Sequence, residues 1–388
     1  MGLYIHIPFC LKKCSYCSFN SYESVNDDYG SYIEAILKEL AFRCEETPSL
    51  LERGVESIYI GGGTPSLLAP DEVVRLLNGV RAVMPHRDDS GDDCEVTIEV
   101  NPGTVDYEKL SGYRLAGVNR VSIGIQSFND SFLKGLGRLH SASDGVAAFQ
   151  AARRAGFTNI GADLIFALPG QTVLEWERDV DELLELMPEH ISLYALTMEE
   201  GTPLYGKYGA VGPPTPLEEE VVVIYRSALE RLEGAGYRHY EVSNLALPGF
   251  TSRHNSRYWR GGDYIGLGAG AHSYLASPGW GRRWWNISAP DNYVGSVMAH
   301  RGGVDGKEQL TRENALLESL FLGLRTTEGV EIAPFQERFG LSPTECLPME
   351  RLTGRGLIAS DNGWLQLTQD GILLSDEVFA HLHGGGAP

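Results

Sequence analysis

Cys10, Cys14 and Cys17 lie in the run Cys10-Leu-Lys-Lys-Cys14-Ser-Tyr-Cys17, directly after the strand-like Leu3-Tyr-Ile-His-Ile7. Three thiolates in one short loop make a soft metal-binding set. An iron–sulfur cube normally takes four cysteine ligands. A three-cysteine loop can therefore hold a [4Fe-4S] cluster and leave one iron open to a small molecule, as catalytic zinc sites keep a free position. A zinc ribbon would need a second ligand pair, and the remaining cysteines, Cys44, Cys94 and Cys346, stand alone. Pro8 before the loop and Tyr16 within it suit a rigid cluster loop.

Further polar groups recur at the ends of apolar runs. Gly61-Gly-Gly-Thr-Pro-Ser66 follows the second run; without side chains a ligand can approach the backbone, and exposed N–H groups can hold a carboxylate. A tight structural turn is the alternative. Glu99 interrupts Thr97-Ile-Glu-Val-Asn-Pro102, and a carboxylate in an apolar run costs free energy unless it is paired or hydrogen-bonded. Gln126 and Asp163 put polar groups on two later runs, either as ligand contacts or as a polar layer inside the fold.

The elements that must position these groups follow from periodicity. Apolar, β-branched runs at Leu3–Ile7, Ser57–Ile60, Val96–Val100, Arg120–Ile125, Asn159–Leu168 and His190–Leu196 predict six strands. Stretches such as Tyr29–Cys44, Pro70–Val83, Ser143–Ala155 and Val173–Met187 carry apolar residues at three- and four-residue steps and predict covering helices. Strand–helix alternation implies an α/β fold with a parallel sheet and right-handed crossovers. Six units are too few for a closed eight-stranded barrel, so a partial (β/α)6 barrel is expected over residues 1–236, with its site at the C-terminal strand ends. Leu217–Ala235 predicts one more helix, after the breaker-rich segment Gly209–Pro216.

Residues 237–310, which hold four of the six tryptophans, show little periodicity and are expected to form the barrel edge and a lid. From Thr311 to residue 388 the pattern is helix, helix, helix and a hairpin turning at Asp361-Asn-Gly, a winged-helix-like α+β domain. That segment has five arginines, no lysine and eleven acidic residues, a net of 5 − 11 = −6, against DNA binding. The tail Gly384-Gly-Gly-Ala-Pro388 is expected to lack structure. The formal charge of −20 argues against a broad nucleic-acid surface, and no apolar run is long enough to span a membrane. With no signal peptide apparent and six cysteines that do not read as a disulfide scaffold, a cytoplasmic location without membrane insertion is expected.

The cysteine spacing resembles that of the radical S-adenosylmethionine (SAM) superfamily, in which the methionyl amino and carboxylate groups chelate the open iron. The likeness tightens over nearly the whole chain. Tyr4-Ile-His-Ile-Pro-Phe-Cys10, the GGGTPS loop, Ile98-Glu-Val-Asn-Pro-Gly-Thr104, Val121-Ser-Ile-Gly-Ile-Gln-Ser-Phe128 and Asp163-Leu-Ile-Phe-Ala-Leu-Pro-Gly-Gln-Thr172 resemble, in order, the branch that holds the oxygen-independent coproporphyrinogen III oxidases (HemN) and the heme chaperones of the HemW type. The resemblance implies that Cys10, Cys14 and Cys17 ligate the cluster. It implies that Tyr4, Gly62, Gly63, Thr64, Glu99, Gln126, Arg138 and Asp163 bind SAM, with Tyr16 near the adenine.

Two departures from the oxidase pattern point to the chaperone type. The oxidase has a further cysteine two positions after the third cluster cysteine, where this chain has Phe19, and it carries a longer segment ahead of the loop than the nine residues here. The run Arg253-His-Asn-Ser-Arg-Tyr-Trp259 resembles the H-N-x-x-Y-W motif of the heme chaperones. His254 is then the expected axial ligand of heme, its alternative being a structural hydrogen-bonding residue, and His272 is a second candidate. The expected function is a heme chaperone with heme as cargo, acting on acceptor hemoproteins that include membrane-bound respiratory ones. The alternatives are oxidative decarboxylation of coproporphyrinogen III and electron transfer by the cluster alone.

Overall fold

The computed structural model describes residues 1–23, 28–84, 94–209, 216 and 218–384. Its first strands are β1 (Gly2–Ile7), β2 (Phe9–Cys10), β3 (Tyr22–Glu23), β4 (Ser57–Gly62), β5 (Glu95–Val100), β6 (Arg120–Gln126), β7 (Ile160–Phe166) and β8 (His190–Ala195). They are followed by β9 (Arg238–Glu241), β10 (Asn244–Ala246), β11 (Tyr264–Leu267), β12 (His272–Leu275), β13 (Arg282–Asn286) and β14 (Val304–Gln309). One open sheet runs in the order β14-β13-β12-β11-β1-β4-β5-β6-β7-β8-β10-β9. The six strands expected from the apolar runs, β1 and β4 to β8, pair in parallel as a contiguous block, which is the α/β partial-barrel arrangement.

Parallel strands are covered on both faces, so they read as continuous apolar runs rather than alternating ones. Their helices show the complementary stripe: Pro70–Val83 buries Val73, Leu76, Leu77 and Val80, at three- and four-residue steps. Local chemistry sets where helices start. Thr172 and Glu175 close a reciprocal capping box at Val173–Leu186, and Ser141 with Asp144 does so at Ala142–Arg154. One crossover helix, Tyr107–Ala116, has no clear sequence signal. Gly112 sits in its middle, and its inward face is only Leu110, Tyr113 and Ala116. That glycine lets the helix approach its neighbour, since a Cβ there would lie 2.6 Å from Pro70 Cβ.

The aperiodic stretch 237–310 supplies β9 to β14, which extend both edges of the sheet. β11 joins β1 in parallel, whereas β12, β13 and β14 continue antiparallel. Strands of three to six residues joined by glycine turns are too short to register a period. The expected breaker-rich segment falls largely outside the described residues, as does 385–388 of the glycine-rich tail; the helix after the former spans Glu218–Gly234. The C-terminal part has helices Arg312–Leu324, Ile332–Phe339 and Met349–Gly354 and a small sheet of β15 (Val330–Glu331), β16 (Ile358–Asp361) and β17 (Trp364–Leu367). Asn362 and Gly363 both have positive φ, 48° and 85°, as a two-residue hairpin turn of the type I′ class requires. No helix among the described residues is long and apolar enough to cross a membrane.

Glu39 ties the added edge to the parallel block. It is 0 % exposed, on helix Tyr29–Glu46, and accepts from Arg43 Nη2 at 3.0 Å, Gly268 N at 3.1 Å, Asn286 Nδ2 at 2.8 Å and the Tyr293 hydroxyl at 2.7 Å. Removing one member of a buried charge network leaves the others unpaired, at a cost of roughly 3–5 kcal/mol. Glu39→Ala is therefore expected to lower the urea midpoint strongly, by about 3 kcal/mol of unfolding free energy. Equilibrium unfolding checks this, and a loss below about 1 kcal/mol, the scale of a single hydrogen bond, would show that the edge strands do not depend on it.

Candidate functional site

The cysteine loop is closed at its base. β2 pairs with β3 (Phe9 with Tyr22, Cys10 with Glu23), and Tyr22 N donates to Pro8 O at 2.7 Å. Lys13 straps the interior, its amide donating to Glu23 Oε1 at 2.8 Å and its ammonium to Phe19 O at 3.0 Å and Ser21 O at 3.3 Å. Ser15 N donates to Leu136 O at 3.0 Å, docking the loop on the segment after β6. All three cysteines are free thiols. Thr64 Oγ1 donates to Cys10 Sγ and Arg138 Nη1 to Cys14 Sγ, each at 3.5 Å. Burial raises the pKa of the Cys10 thiol, and the Thr64 hydroxyl opposes that.

Among the described residues no three His, Cys, Asp or Glu side chains converge on a single ion position. A multi-iron cluster does not require such convergence, because each cysteine binds a different iron. The donor set, three cysteines on one strapped loop beside a glycine turn, fits that kind of group.

The glycine turn is a cradle cut to backbone dimensions. Gly62 has φ of +122°, and a Cβ there would sit 2.7 Å from the His6 ring. A Cβ at Gly63 would come within 2.7 Å of Phe9 O and 3.0 Å of Cys10 Sγ. Gly62 N donates to Glu99 Oε2 at 3.0 Å and the Tyr59 hydroxyl to Glu99 Oε1 at 2.9 Å. Burial pushes the Glu99 pKa up to about 7 against those two hydrogen bonds. Asp163, which accepts from Ser122 Oγ at 3.1 Å, is also raised by burial, and its charge adds to the rise at Glu99.

Tyr4 reaches the same space, donating to His6 Nδ1 at 2.9 Å. His6 Nε2 faces Asn20 O at 2.8 Å, so Nε2 carries the proton and Nδ1 accepts from Tyr4. Gln126 ends β6 with φ of +72°, at a register break in the β6–β7 pairing. Arg138 Nη2 donates to Gly124 O at 3.0 Å, and its guanidinium lies close enough to the Tyr16 hydroxyl for the two to interact electrostatically. Cys10, Thr64 and Gly63 are thus brought together, Tyr4, Gly62 and Glu99 line one cavity, and Cys14, Tyr16 and Arg138 form a second group beside the loop.

Sequence reasoning missed His6 and Arg120. Arg120 is 1 % exposed, and its Nε and Nη1 have no partner among the described residues. Its charge favours the ionised forms of both Glu99 and Asp163. The available signal was an arginine opening the otherwise apolar strand Arg120-Val-Ser-Ile-Gly-Ile-Gln126.

The segment Arg253–Trp259 is a helix that starts under Ser252, whose side chain accepts from Asn255 N. Glu95 accepts from the amides of Arg253 at 3.0 Å and His254 at 2.9 Å, a carboxylate at the positive helix end. His254 is 1 % exposed, with Nδ1 bonded to Ser57 Oγ at 2.9 Å and Nε2 to the Tyr258 hydroxyl at 2.8 Å. Burial, Arg257 and Arg120 push its pKa down to about 3. Both ring nitrogens are engaged, which is the geometry of a structural residue, whereas Tyr258 and Trp259 from the same motif line a cavity of about 1080 Å³. That cavity runs from Tyr4, His6, Gly62 and Glu99 to Phe321, Phe335 and Trp364 of the C-terminal part.

The fold and this site define a radical SAM barrel with an appended C-terminal domain. Residues 4–184 match the radical SAM superfamily, and residues 310–374 match the HemN C-terminal domain. The chain is 35 % identical over 383 residues to the heme chaperone HemW of Bacillus subtilis, covering 98 % of each. It is 36 % identical to the mitochondrial radical S-adenosyl methionine domain-containing protein 1 of Danio rerio, covering 97 % of this chain and 85 % of that protein. The crystal structure of coproporphyrinogen III oxidase (HemN) from Escherichia coli superposes with a TM-score of 0.82 at 23 % identity, covering 99 % of this chain and 90 % of that one. This chain belongs to the HemW family of the radical SAM superfamily.

His6, His140, His190 and His254 are all buried with lowered pKa values, chiefly through desolvation. The native state therefore binds fewer protons than the unfolded chain below the ordinary histidine pKa of about 6.5, and stability must fall as pH drops through that value. Comparing urea unfolding of the cluster-free protein at pH 7.5 and pH 5.0, His254→Asn is expected to shrink this acid-induced loss by about 2 kcal/mol relative to wild type. An unchanged loss would mean that His254 is protonated in the native state.

Proposed function

We propose that this chain binds heme and delivers it to acceptor hemoproteins, on a scaffold that carries a [4Fe-4S] cluster and SAM. Likeness to HemW heme chaperones over nearly the full length is the observation that carries this reading. It is supported by an aromatic cavity that opens from the cluster loop toward the C-terminal domain. Membrane-bound respiratory hemoproteins are the proposed acceptors, reached from the cytoplasm.

Cys10, Cys14 and Cys17 would ligate three irons, and Thr64 and Arg138 would then donate hydrogen bonds to ligand sulfurs, which stabilise negative charge on them. When bound, the cluster and SAM would supply one-electron chemistry at the sulfonium. Gly62 and Gly63 leave room for the methionyl group against the backbone. Glu99 and Asp163 offer acceptors to ribose hydroxyls and the ammonium group, with Gln126 and Tyr4 beside them and Tyr16 near the adenine. Arg138 supports Tyr16 and the loop together.

A second reading is oxidative decarboxylation of coproporphyrinogen III, which the shared fold with the oxidase favours. Phe19 stands against it. The ring is 66 % exposed and lines the cavity, at the position where the oxidase pattern has a cysteine.

In anaerobically reconstituted protein, saturable one-to-one heme binding followed by the Soret band, with transfer to an apo-hemoprotein, is the expected outcome. Formation of protoporphyrinogen IX on adding SAM, reductant and coproporphyrinogen III would replace the chaperone by the oxidase. Cys14→Ala is expected to lose the brown, oxygen-sensitive cluster chromophore, and a full complement of iron and sulfide in that variant would sink the ligand assignment.

SAM affinity provides a pH test. Burial places the Glu99 pKa at about 7, and its carboxylate attracts the cationic SAM and accepts more strongly than the neutral acid, so affinity should rise up to about tenfold from pH 6 to pH 8 and lose that slope in Glu99→Gln. Calorimetric titration at the two pH values reads this directly, and a slope retained by the variant would place the titrating group elsewhere.

A further inference from the structure

We propose that Arg120 is a positioning residue of the SAM site, a cation sealed in the barrel floor that acts through space on Glu99 and Asp163. It thereby sets the preference of the site for a charged sulfonium over a neutral thioether. The proposal rests on the SAM-binding reading above and deepens it. Three observations carry it.

The first is placement. Arg120 opens β6 opposite Thr97 of β5, and Ser122, two residues on, lies opposite Glu99. Alternate residues of a strand share a face, so all four point to the inside of the barrel. Gly161 of β7 keeps the floor open, since a Cβ there would lie 3.3 Å from Ser122 Oγ, 3.4 Å from Arg120 Nη2 and 3.5 Å from His190 Nδ1. The guanidinium, the hydroxyl and the imidazole therefore gather round one glycine. Ser122 Oγ donates in turn to Asp163 at 3.1 Å, which puts that carboxylate one hydroxyl away from the guanidinium.

The second is what the guanidinium leaves unmade. Arg120 is buried, its Nε and Nη1 have no partner among the described residues, and no described carboxylate is ion-paired with it. A bidentate ion pair, the ordinary state of a buried guanidinium, would take up the oxygens of one acid. Standing off, Arg120 leaves lone pairs of Glu99 and Asp163 available to a ligand, while its charge still opposes the rise that burial imposes on both. Its neighbour His190 does not neutralise it. Ser252 N donates to the Tyr240 hydroxyl at 3.4 Å, so the hydrogen of that hydroxyl goes to His190 Nε2 at 2.7 Å and Nδ1 carries the ring proton, a second donor.

The third is the set of groups that surround it. Tyr59 of β4 and Tyr240 of β9 have raised pKa values, and His190 of β8 and His254 of helix Arg253–Trp259 lowered ones, by burial first, so all four are neutral from pH 6 to pH 9. Glu95, on the same face of β5, accepts from two amides at the start of that helix, and Arg138 acts on Asp163 from the cluster side. Glu99, at about 7, is the group that responds in this range. Removing Arg120 then has two opposed effects: the acid ionises at higher pH, and the repulsion between guanidinium and sulfonium disappears. SAM affinity must move to higher pH without a lower alkaline plateau, a pattern that lost packing does not produce.

The test uses the reconstituted protein with Arg120→Met and Arg120→Lys, circular-dichroism melts to confirm folding, and Arg120→Gln in place of a Met variant that does not fold. Glu99 is titrated by the infrared band of its protonated carboxyl, identified by its loss in Glu99→Gln. SAM and S-adenosylhomocysteine, the neutral thioether, are titrated by calorimetry from pH 6 to pH 9. Arg120→Met is expected to raise the Glu99 midpoint by about one pH unit, and so to weaken SAM about fivefold at pH 7 while matching or exceeding wild type at pH 9. S-adenosylhomocysteine should weaken less at pH 7, and Arg120→Lys should stay close to wild type throughout. An unmoved infrared midpoint, a SAM loss equal at every pH, or the same shift in Arg120→Lys would overturn the role of the charge and leave SAM binding standing. No SAM binding by the wild type would overturn the SAM-binding reading, and the proposal with it.

Discussion

The site depends on β1 being paired in parallel on both edges, to β4 through six registered residues and to β11 through four. A strand bonded on both sides cannot slide, because a shift of one residue would exchange its two faces. Leu3, Ile5 and Ile7 then face the apolar layer, and Tyr4 and His6 are delivered to the opposite face, where the glycine cradle of β4 lies. The cluster loop leaves the C-terminal end of this strand, and the loop after β11 lies against its carbonyls. A Cβ at Gly268 would be 2.5 Å from His6 O, and Asn20 bridges to Ala269 O and Ser288 O at 3.1 Å each.

The interior so enclosed is polar at a cost. Glu99 and Asp163 resist ionisation, the four buried histidines resist protonation, and Arg120 is buried with Nε and Nη1 unpartnered among the described residues. Desolvation is the largest cause for each of the titrating groups, and the hydrogen bonds they receive offset it only in part. Sites that must hold charged or polar ligands are built this way, with the donors and acceptors in place before the ligand arrives.

Much of this was legible in the chain. Each of the six apolar runs became a parallel strand within one or two residues of its expected ends, because strands buried on both faces need unbroken apolar composition. The hairpin turn at Asn362-Gly363 was equally plain, since few residue pairs tolerate two successive positive φ values. Tyr107–Ala116 and the short strands of 237–310 were not, because their burial comes from distant partners rather than from local periodicity.

Local chemistry is what the sequence by itself determined. The three thiols of one loop, the side-chain-free turn and the acids placed in apolar strands are all consequences of near neighbours along the chain. Tertiary structure alone decided which of these groups meet and which face of a motif is used. His254 and Tyr258 are a single helical turn apart, yet one is sealed against Ser57 of β4 and the other lines the cavity. That division arises because the helix lies on the sheet, where one of the two hydrogen-bond partners that occupy the imidazole, Ser57, comes from a strand nearly 200 residues earlier.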